Sequence, residues 1–453
     1  MLASSRRLLV LDDDPTGSQC VSGVAVAFEE DSELIQKTLS EESSACFVLT
    51  NTRALDEADA VKKNRRIVSG VLEKFKQNGQ ESADIGLHLV SRSDSTLRGH
   101  VIAEPNALAD ALEDYGMAVD AFIFAPAMIE AGRFTEGDIH YAMVDGEPRK
   151  VEDTDFAKDA TFGYSHSNLK VFLEEVSAGS VPADSVLSLS LEEIRAGVDR
   201  VVELLSEVSN RQWVVVNATE YSDMEIVADA LIQLESQGKV FISRCGPSFV
   251  RPLAGQQRAK VLEAGDIHIS HERLGHGLVV VGSHVGLTTQ QLQEVQRRSG
   301  LSEHELNVEK LLSAEREAHI EEVAQAICSA LTDSDSVVYT SRKLVSTDDP
   351  AESLAIARSV SDAVVEVVQK VRTALPAWVV AKGGITSHEV AHHGLGIRLA
   401  EVEGQFFAGQ ISLFTPQDAP EEVLNTPYVV FPGNVGGREA LADVIERLKE
   451  AVQ

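Results

Sequence analysis

The sequence predicts an α/β protein of two domains, each a largely parallel sheet flanked by helices, with the active site in the cleft between them. Three observations carry that expectation. Short apolar runs recur in RRLLVLDDDPTG, ACFVLTNTR, IGLHLVSRSDSTLRG, AFIFAPA and RQWVVVNATE, then in GLVVVGSHVG, SVVYTSRK, AWVVAKGGITS and YVVFPGNVGG. Lacking polar alternation, they suit parallel strands buried on both faces. Amphipathic stretches lie between them. In Asp56–Gly79, Val61, Val68, Leu72 and Phe75 recur at helical steps and Asn78-Gly79 offers a C-cap. Glu303–Leu331 and Ala351–Leu375 read as longer helices, the second closed by Pro376. Strand alternating with helix means parallel sheets. Finally, 453 residues exceed one domain at about 100–200 residues each. RPLAGQQRAKVLEAGDIHISHERLGHG is polar and weakly periodic, which divides the chain into 1–252, a linker region 253–275, and 276–453.

Composition excludes several classes. Apolar residues make up 43% and charged residues 25%, a globular balance. Asp plus Glu outnumber Lys plus Arg by 71 to 40, a formal charge of −31 that repels nucleic acid and anionic lipid. An anionic substrate therefore requires local Arg and Lys. Cys20, Cys46, Cys245 and Cys328 form no C-x-x-C pair, which fits a reduced cytosolic protein and argues against a disulfide scaffold or a Cys-based zinc site. The start MLASSRRLLVLDDD has too short an apolar run for a secretory signal, and no stretch approaches the roughly 18 apolar residues of a membrane span. A cytoplasmic location is expected.

In parallel sheets ligands sit at the carboxyl ends of strands. Asp12-Asp13-Asp14-Pro15-Thr16-Gly17 directly follows the first strand, and three adjacent acids repel unless a cation or a hydroxyl-rich ligand uses them. The plain alternative is a turn, since Asp-Pro and Thr-Gly are turn formers. A sharper one is the D-x-D-x-T motif of haloacid-dehalogenase-like phosphatases, with Asp12 as nucleophile. Ser91-Arg92-Ser93-Asp94-Ser95-Thr96-Leu97-Arg98-Gly99-His100 ends another strand. Arg92 and Arg98 suit bidentate capture of a carboxylate, while Asp94, Ser95 and Thr96 suit sugar hydroxyls. A third segment, a loop after a strand, runs from Ala125-Pro126-Ala127 through Gly132-Arg133 to His140-Tyr141. Taken alone, His140 is more often a structural hydrogen-bonding residue than a catalyst.

The second half holds three strand–glycine-turn–helix junctions: Gly282-Ser283-His284, Lys382-Gly383-Gly384-Ile385-Thr386-Ser387, and Pro432-Gly433-Asn434-Val435-Gly436-Gly437. Glycine lets backbone N–H groups approach a phosphate. No junction matches G-x-x-x-x-G-K-[ST] or G-x-G-x-x-G. One such turn says little; three in one domain point towards a nucleotide.

Together these motifs resemble the four-carbon acid sugar kinase family over nearly the whole chain. Asp13-Asp14-Pro15-Thr16-Gly17 resembles its D-D-x-T-G, and Asp94-Ser95-Thr96-Leu97-Arg98-Gly99 its D-S-T-L-R-G. Arg244 with Ser248-Phe249-Val250-Arg251 resembles its R-x-x-x-S-F-V-R, and the glycine junctions resemble its ATP signatures. Val285 stands where the family's G-S-x-S has its second Ser, Pro15 replaces Leu, and Arg92 stands where Lys is common. The resemblance implies a sugar-acid-binding first domain and a nucleotide-binding second one, with ATP and Mg²⁺ phosphorylating a hydroxyl of a threonate-, erythronate- or 3-oxo-tetronate-type acid. It implies Asp13 or Asp14 as base, and Arg92, Asp94, Ser95, Thr96, Arg98, Arg133, His140 and Arg244 as substrate-binding residues. For ATP it implies Ser283, Gly383, Gly384, Thr386, Ser387, Gly433, Asn434 and Gly436. No metal ligand set is legible. The expected partners are the sugar acid and ATP, with no nucleic acid and no membrane, and a homo-oligomer is left open. The alternatives are the phosphatase and a sugar-acid or nucleotide sensor that binds without turnover.

Overall fold

Leu8, Leu9, Val10 and Leu11 are all buried, so the strand they form has no solvent face. That is the pattern of a covered parallel sheet, and it recurs throughout the computed structural model. The structure describes residues 6–452 apart from 15–17, 19, 42–43, 81–84, 257–259, 271, 274, 299, 343–349 and 434, and only the backbone of 350, 351 and 354. The chain divides into two units, Met1–Ala259 and Lys260–Gln453.

The first unit contributes strands β1 (Arg7–Asp12), β2 (Val24–Ala27), β3 (Ala45–Leu49), β4 (Leu87–Arg92) and β5 (Ala121–Ala125). After a small separate sheet of β6 (Arg133–Glu136), β7 (Ile139–Val144) and β8 (Glu147–Lys150) come β9 (Leu187–Leu189), β10 (Gln212–Val216) and β11 (Phe241–Cys245). The main sheet runs β2-β3-β1-β4-β11-β5-β10-β9, parallel throughout. Its register sets Asp12 beside both Leu49 and Arg92, and Cys245 beside Arg92 and Ala125. Strands β1, β3, β4, β5 and β11 therefore end level, and the segments that follow them start from one edge. The helix expected at 56–79 spans Glu57–Gln77, with the Asp56 carboxylate accepting from Asp59 N at 2.9 Å and Asn78 as C-cap.

Gly132–Tyr141, read as a loop from the sequence, is instead part of the antiparallel sheet β6-β7-β8. Gly137-Asp138 (φ 59° and 64°) and Asp145-Gly146 (φ 53° and 81°) supply the paired positive φ of tight hairpin turns.

The second unit contributes β12 (Leu278–Val281), β13 (Ser302–Leu306), β14 (Ser336–Thr340), β15 (Val379–Lys382), β16 (Leu399–Phe407), β17 (Gln410–Asp418) and β18 (Tyr428–Phe431). The order β13-β14-β12-β15-β18 is parallel, and the β16–β17 hairpin joins β18 antiparallel. The helix expected over Glu303–Leu331 is corrected: Ser302–Leu306 is the edge strand β13, followed by short helix Val308–Leu311 and then helix Arg316–Ala330. An edge strand buries few side chains, so SEHEL needs only Leu306 apolar. The helix over 351–375 spans Pro350–Val371 and closes with a 3₁₀ turn, Arg372–Ala374. Leu262 and Ile267 already belong to this unit's core, together with Trp378, Phe406 and Leu441. Among the described residues, no helix is long and apolar enough to cross a membrane.

Close packing generates a first test. A Cβ on Gly277 would lie 2.0 Å from the ring of the fully buried Trp378. Gly277→Ala is expected to destabilise the second unit by about 1–3 kcal/mol. Thermal unfolding followed by tryptophan fluorescence checks this, and an unshifted transition would mean the packing is looser than described.

Candidate functional site

The charged residues at the first unit's carboxyl edge form pairs. Asp12, fully buried at the end of β1, faces its register neighbour Arg92, with Arg92 Nε to Oδ2 at 2.8 Å and Nη2 to Oδ1 at 2.7 Å. Burial pushes the Asp12 carboxyl up to about 7, with Arg92 pulling against it. The next residue turns the other way. Asp13 receives Arg53 Nη2 on Oδ1 at 2.6 Å and Arg53 Nε on Oδ2 at 3.3 Å, while Arg53 Nη1 reaches Asp14 Oδ2 at 3.1 Å. Burial raises the Asp13 carboxyl above its ordinary range, and Arg53 opposes this.

Beneath them Arg244, fully buried on β11, donates through Nη1 to Ser91 Oγ at 2.7 Å and Glu104 Oε2 at 2.5 Å. Its Nε and Nη2 make no hydrogen bond. Gly99 closes over the pair: at φ 110°, a Cβ there would lie 2.9 Å from Asp13 Oδ2 and 3.2 Å from Arg244 Nη2. Only glycine takes that backbone and leaves that space.

The outer layer comes from the Ser93–Gly99 segment and its cover. Asp94 accepts from Arg98 Nε at 2.6 Å and from the Thr96 hydroxyl. Burial would raise its carboxyl, but Arg53, Arg98 and Thr96 overcome that and hold it at about 2. Arg98 also meets Asp159 at 3.6 Å. The guanidiniums of Arg98 and Arg133 lie 5.5 and 5.4 Å from the ring centre of Phe156. Arg133 donates to Ser95 Oγ at 2.7 Å and, among the described residues, meets no carboxylate in an ion pair. Ser248 and Arg251 hold Glu130, Ser248 Oγ at 2.6 Å, and so fix the turn that precedes Arg133.

His140 is fully buried. Its Nε2 lies 2.8 Å from Ser95 O and its Nδ1 2.9 Å from Thr135 Oγ1. The carbonyl only accepts, so Nε2 carries the proton and the hydroxyl donates to Nδ1. Burial pushes the ring down to about 4, leaving a neutral brace for the Ser95 backbone.

In the second unit, register places Val281, Lys382 and Phe431 side by side, so all three glycine junctions begin at one edge. Thr386 fills the gap between the first two: a Cβ on Gly282 would lie 2.4 Å from its Oγ1, and one on Gly383 (φ 126°) 3.0 Å. Ser283 Oγ accepts from Thr288 Oγ1 at 3.2 Å, and Thr288 Oγ1 also lies 3.0 Å from Gly433 O. Gly384 opens helix Gly384–Glu389. Ser387 turns inward, donating to Ala381 O at 2.7 Å and Gly383 O at 2.6 Å, which braces the junction. Gly436 makes the left-handed turn (φ 80°) ahead of helix Ala440–Val452. Asn434, like Pro15, Thr16 and Gly17, lies outside the described residues. Beside Gly282 and Thr386 opens a cavity of about 320 Å³, walled by Ile356, Val360, Val364 and Ile385.

A profile described as a sugar-binding N-terminal domain matches residues 8–253, and one described as a nucleotide-binding C-terminal domain matches residues 278–441. These are the paired domains of four-carbon acid sugar kinases. The chain belongs to that family. Among solved structures it is similar to a Haemophilus influenzae protein, HI1011, of family DUF1537, at 16% identity over 98% of this chain and 100% of that one, TM-score 0.66. It is also similar to a Salmonella typhimurium LT2 chain described provisionally as a tRNA synthase, at 17% identity over 97% and 98%, TM-score 0.69. At such identity these likenesses speak for the fold alone. No curated protein matches.

Within this four-carbon acid sugar kinase fold, Asp13, Asp14, Asp94, Ser95, Thr96, Arg98 and Arg133 gather at one edge. Of the two other arginines expected to hold substrate, Arg92 is engaged with Asp12 and the Ser93 carbonyl, and Arg244 gives Nη1 to Ser91 and Glu104 while Nε and Nη2 make no hydrogen bond. Asp12, the nucleophile of the phosphatase alternative, is sealed by Arg92. Sequence reasoning did not single out Arg53, Glu104 or Phe156. Arg53 carried a signal, since Asn51-Thr52-Arg53 follows β3 as the other motifs follow their strands.

His140 generates a pH test. Its folded value is depressed, so the unfolded chain binds more protons between about pH 4 and 6.5, and stability falls as pH drops through that window. At about 1.4 kcal/mol per unit, roughly 2 kcal/mol goes between pH 7 and 5. Asp12 contributes a slope of opposite sign there, so the readout is a difference. Urea unfolding should show wild type losing roughly 2 kcal/mol more than His140→Gln; equal losses would mean His140 is not held neutral.

Proposed function

We propose that the protein is an ATP-dependent kinase that phosphorylates a hydroxyl of a four-carbon sugar acid of the threonate, erythronate or 3-oxo-tetronate type. The observation that carries the reading is the presence, within the first unit, of a buried carboxylate of raised pKa and of half-buried guanidiniums at one sheet edge. Arg98 and Arg133 are the groups for the substrate carboxylate, since Arg92 is engaged with Asp12. Asp94, ionised throughout the ordinary pH range, accepts from a sugar hydroxyl. Asp13 orients the attacking hydroxyl and takes its proton, and its raised pKa brings it nearer the working pH of a base. In the second unit the apolar cavity suits a nucleobase, and the adjoining glycine edge leaves backbone N–H groups for phosphates.

Phosphoryl transfer then needs positioning and charge neutralisation more than covalent chemistry. Among the described residues no group of three His, Cys, Asp or Glu side chains stands ready for a metal. Mg²⁺ would come with the ATP, held mostly by its phosphates and water.

The test is ATP consumption across a panel of four-carbon acids, with the product mass determined. Asp13→Asn is expected to lower turnover by about 10²–10⁴ while leaving the ATP KM in place. Arg133→Gln is expected to raise the acid KM by about tenfold, roughly 1.4 kcal/mol, again without moving the ATP KM. Tight binding of acid and ATP with no turnover would favour the sensor. A hydroxylamine-sensitive aspartyl phosphate without ATP use would restore the phosphatase.

A further inference from the structure

We infer that Arg342 and Lys382 together form an anion seat at the glycine junctions, Arg342 meeting the polyphosphate of a nucleotide and Lys382 supporting it from beneath. The inference rests on the nucleotide reading of this unit and adds the residues that neutralise the phosphates.

The geometry comes from the strand order. Strands β14, β12 and β15 are neighbours, so Arg342, two residues beyond β14, and Lys382, the last residue of β15, approach the Gly282-Ser283 turn from opposite sides. Arg342 is half-buried, with Nη1 on Ser283 O at 2.8 Å and Nη2 on Thr289 Oγ1 at 2.7 Å, and its Nε makes no hydrogen bond. Lys382 is fully buried. Its Nζ donates to Pro432 O at 2.6 Å and Gly433 O at 3.2 Å and lies 4.0 Å from the centre of the Phe431 ring. Each cation grips the backbone of a glycine junction.

The missing partner is the argument. In a chain with 71 acids against 40 bases, a buried cation has carboxylates in excess to pair with. Elsewhere in this unit Arg298 meets Asp443 and Glu446, Arg316 meets Glu366, and Arg372 meets Glu422. Arg342 and Lys382 form no ion pair among the described residues. Lys260, Lys310 and Arg358 also lack one but reach solvent, and Arg273 and Arg447 cap carbonyls outside the junctions: Pro376, Glu422 and Leu424, and Leu262 and Phe406. Burial pushes the Lys382 ammonium down to about 7, with no carboxylate to restore it. A buried cation without a counter-ion is costly. An arriving phosphate supplies the counter-ion, as the lysine does in P-loops, whose motif this sequence lacks.

The two residues act differently. Arg342 is the direct contact. Lys382 is a positioning residue, holding the Gly433 turn and supplying field from below.

Calorimetric titration of the full-length protein with ADP, inorganic tripolyphosphate and adenosine tests this. Arg342→Gln is expected to weaken ADP and tripolyphosphate by about tenfold, leave adenosine within about twofold, and be largely rescued in Arg342→Lys. Lys382→Met should do the same to both anions, with its melting temperature read alongside. Should that variant not fold, the Arg342 arm decides alone. Unchanged tripolyphosphate affinity in folded Arg342→Gln would overturn the seat. Wild type that binds tripolyphosphate but not ADP would instead sink the nucleotide reading and leave the seat standing.

Discussion

Burying a charge in a protein interior costs several kcal/mol unless an opposite charge meets it, and the carboxyl edge of the first unit is organised by that constraint. Arg92 with Asp12, Arg53 with Asp13, and Arg244 with Glu104 each bring a guanidinium and a carboxylate together at level strand ends. Removing one partner strands the other, which costs more than the pair contributes. Arg92 and Asp12 satisfy each other outright, whereas Asp13, though met by Arg53, stays at the edge proposed for the acceptor hydroxyl. Of the arginines near this edge, Arg98 and Arg133 lie in the outer layer with Phe156 against both, and buried Arg244 keeps Nε and Nη2 without a hydrogen bond. The acid site proposed at this edge, in a chain of charge −31, would rest on balancing the inner charges and holding Arg98 and Arg133 in the outer layer.

How much of this was legible follows from which physics is local. Strands β1, β3, β4, β5, β10, β12, β14, β15 and β18 announced themselves, because a strand covered on both faces must be apolar at every position. Strand β13 did not: SEHEL lies at an edge, and its half-polar pattern resembles a helix face as much as a strand. The hairpin turns at Gly137-Asp138 and Asp145-Gly146 carry glycine–aspartate pairs, which the sequence reading did not single out. The segment was read as a loop because the strands between them are short and mostly polar.

The site residues divide in the same way. Asp94, Arg98 and Arg133 stood in motifs at strand ends and remain there in the fold. Arg92 and Arg244 stood in equally good motifs, yet their side chains face Asp12 and Glu104, and a pairing across 80 or 140 residues leaves no trace in spacing. Arg53 escaped notice for the converse reason: its partners Asp13 and Asp14 are adjacent in the fold and forty positions away in the chain. Ser387 illustrates a third case, a hydroxyl in a signature whose work is to satisfy carbonyls that the glycine turn leaves open.

The two units thus solve opposite electrostatic problems with the same parallel-sheet edge. In the first, cations and carboxylates arrive together, because the ligand proposed there carries one carboxylate and several hydroxyls and needs both kinds of group. In the second, small turns and a largely apolar cavity stand beside two cations, Arg342 and Lys382, that form no ion pair among the described residues. A polyphosphate brings its own dense negative charge, and any carboxylate at that edge would repel it. The glycines alone do not distinguish a phosphate site from an ordinary connection. What distinguishes this edge is that Arg342 and Lys382, in a strongly acidic chain, sit beside those glycines without acids of their own.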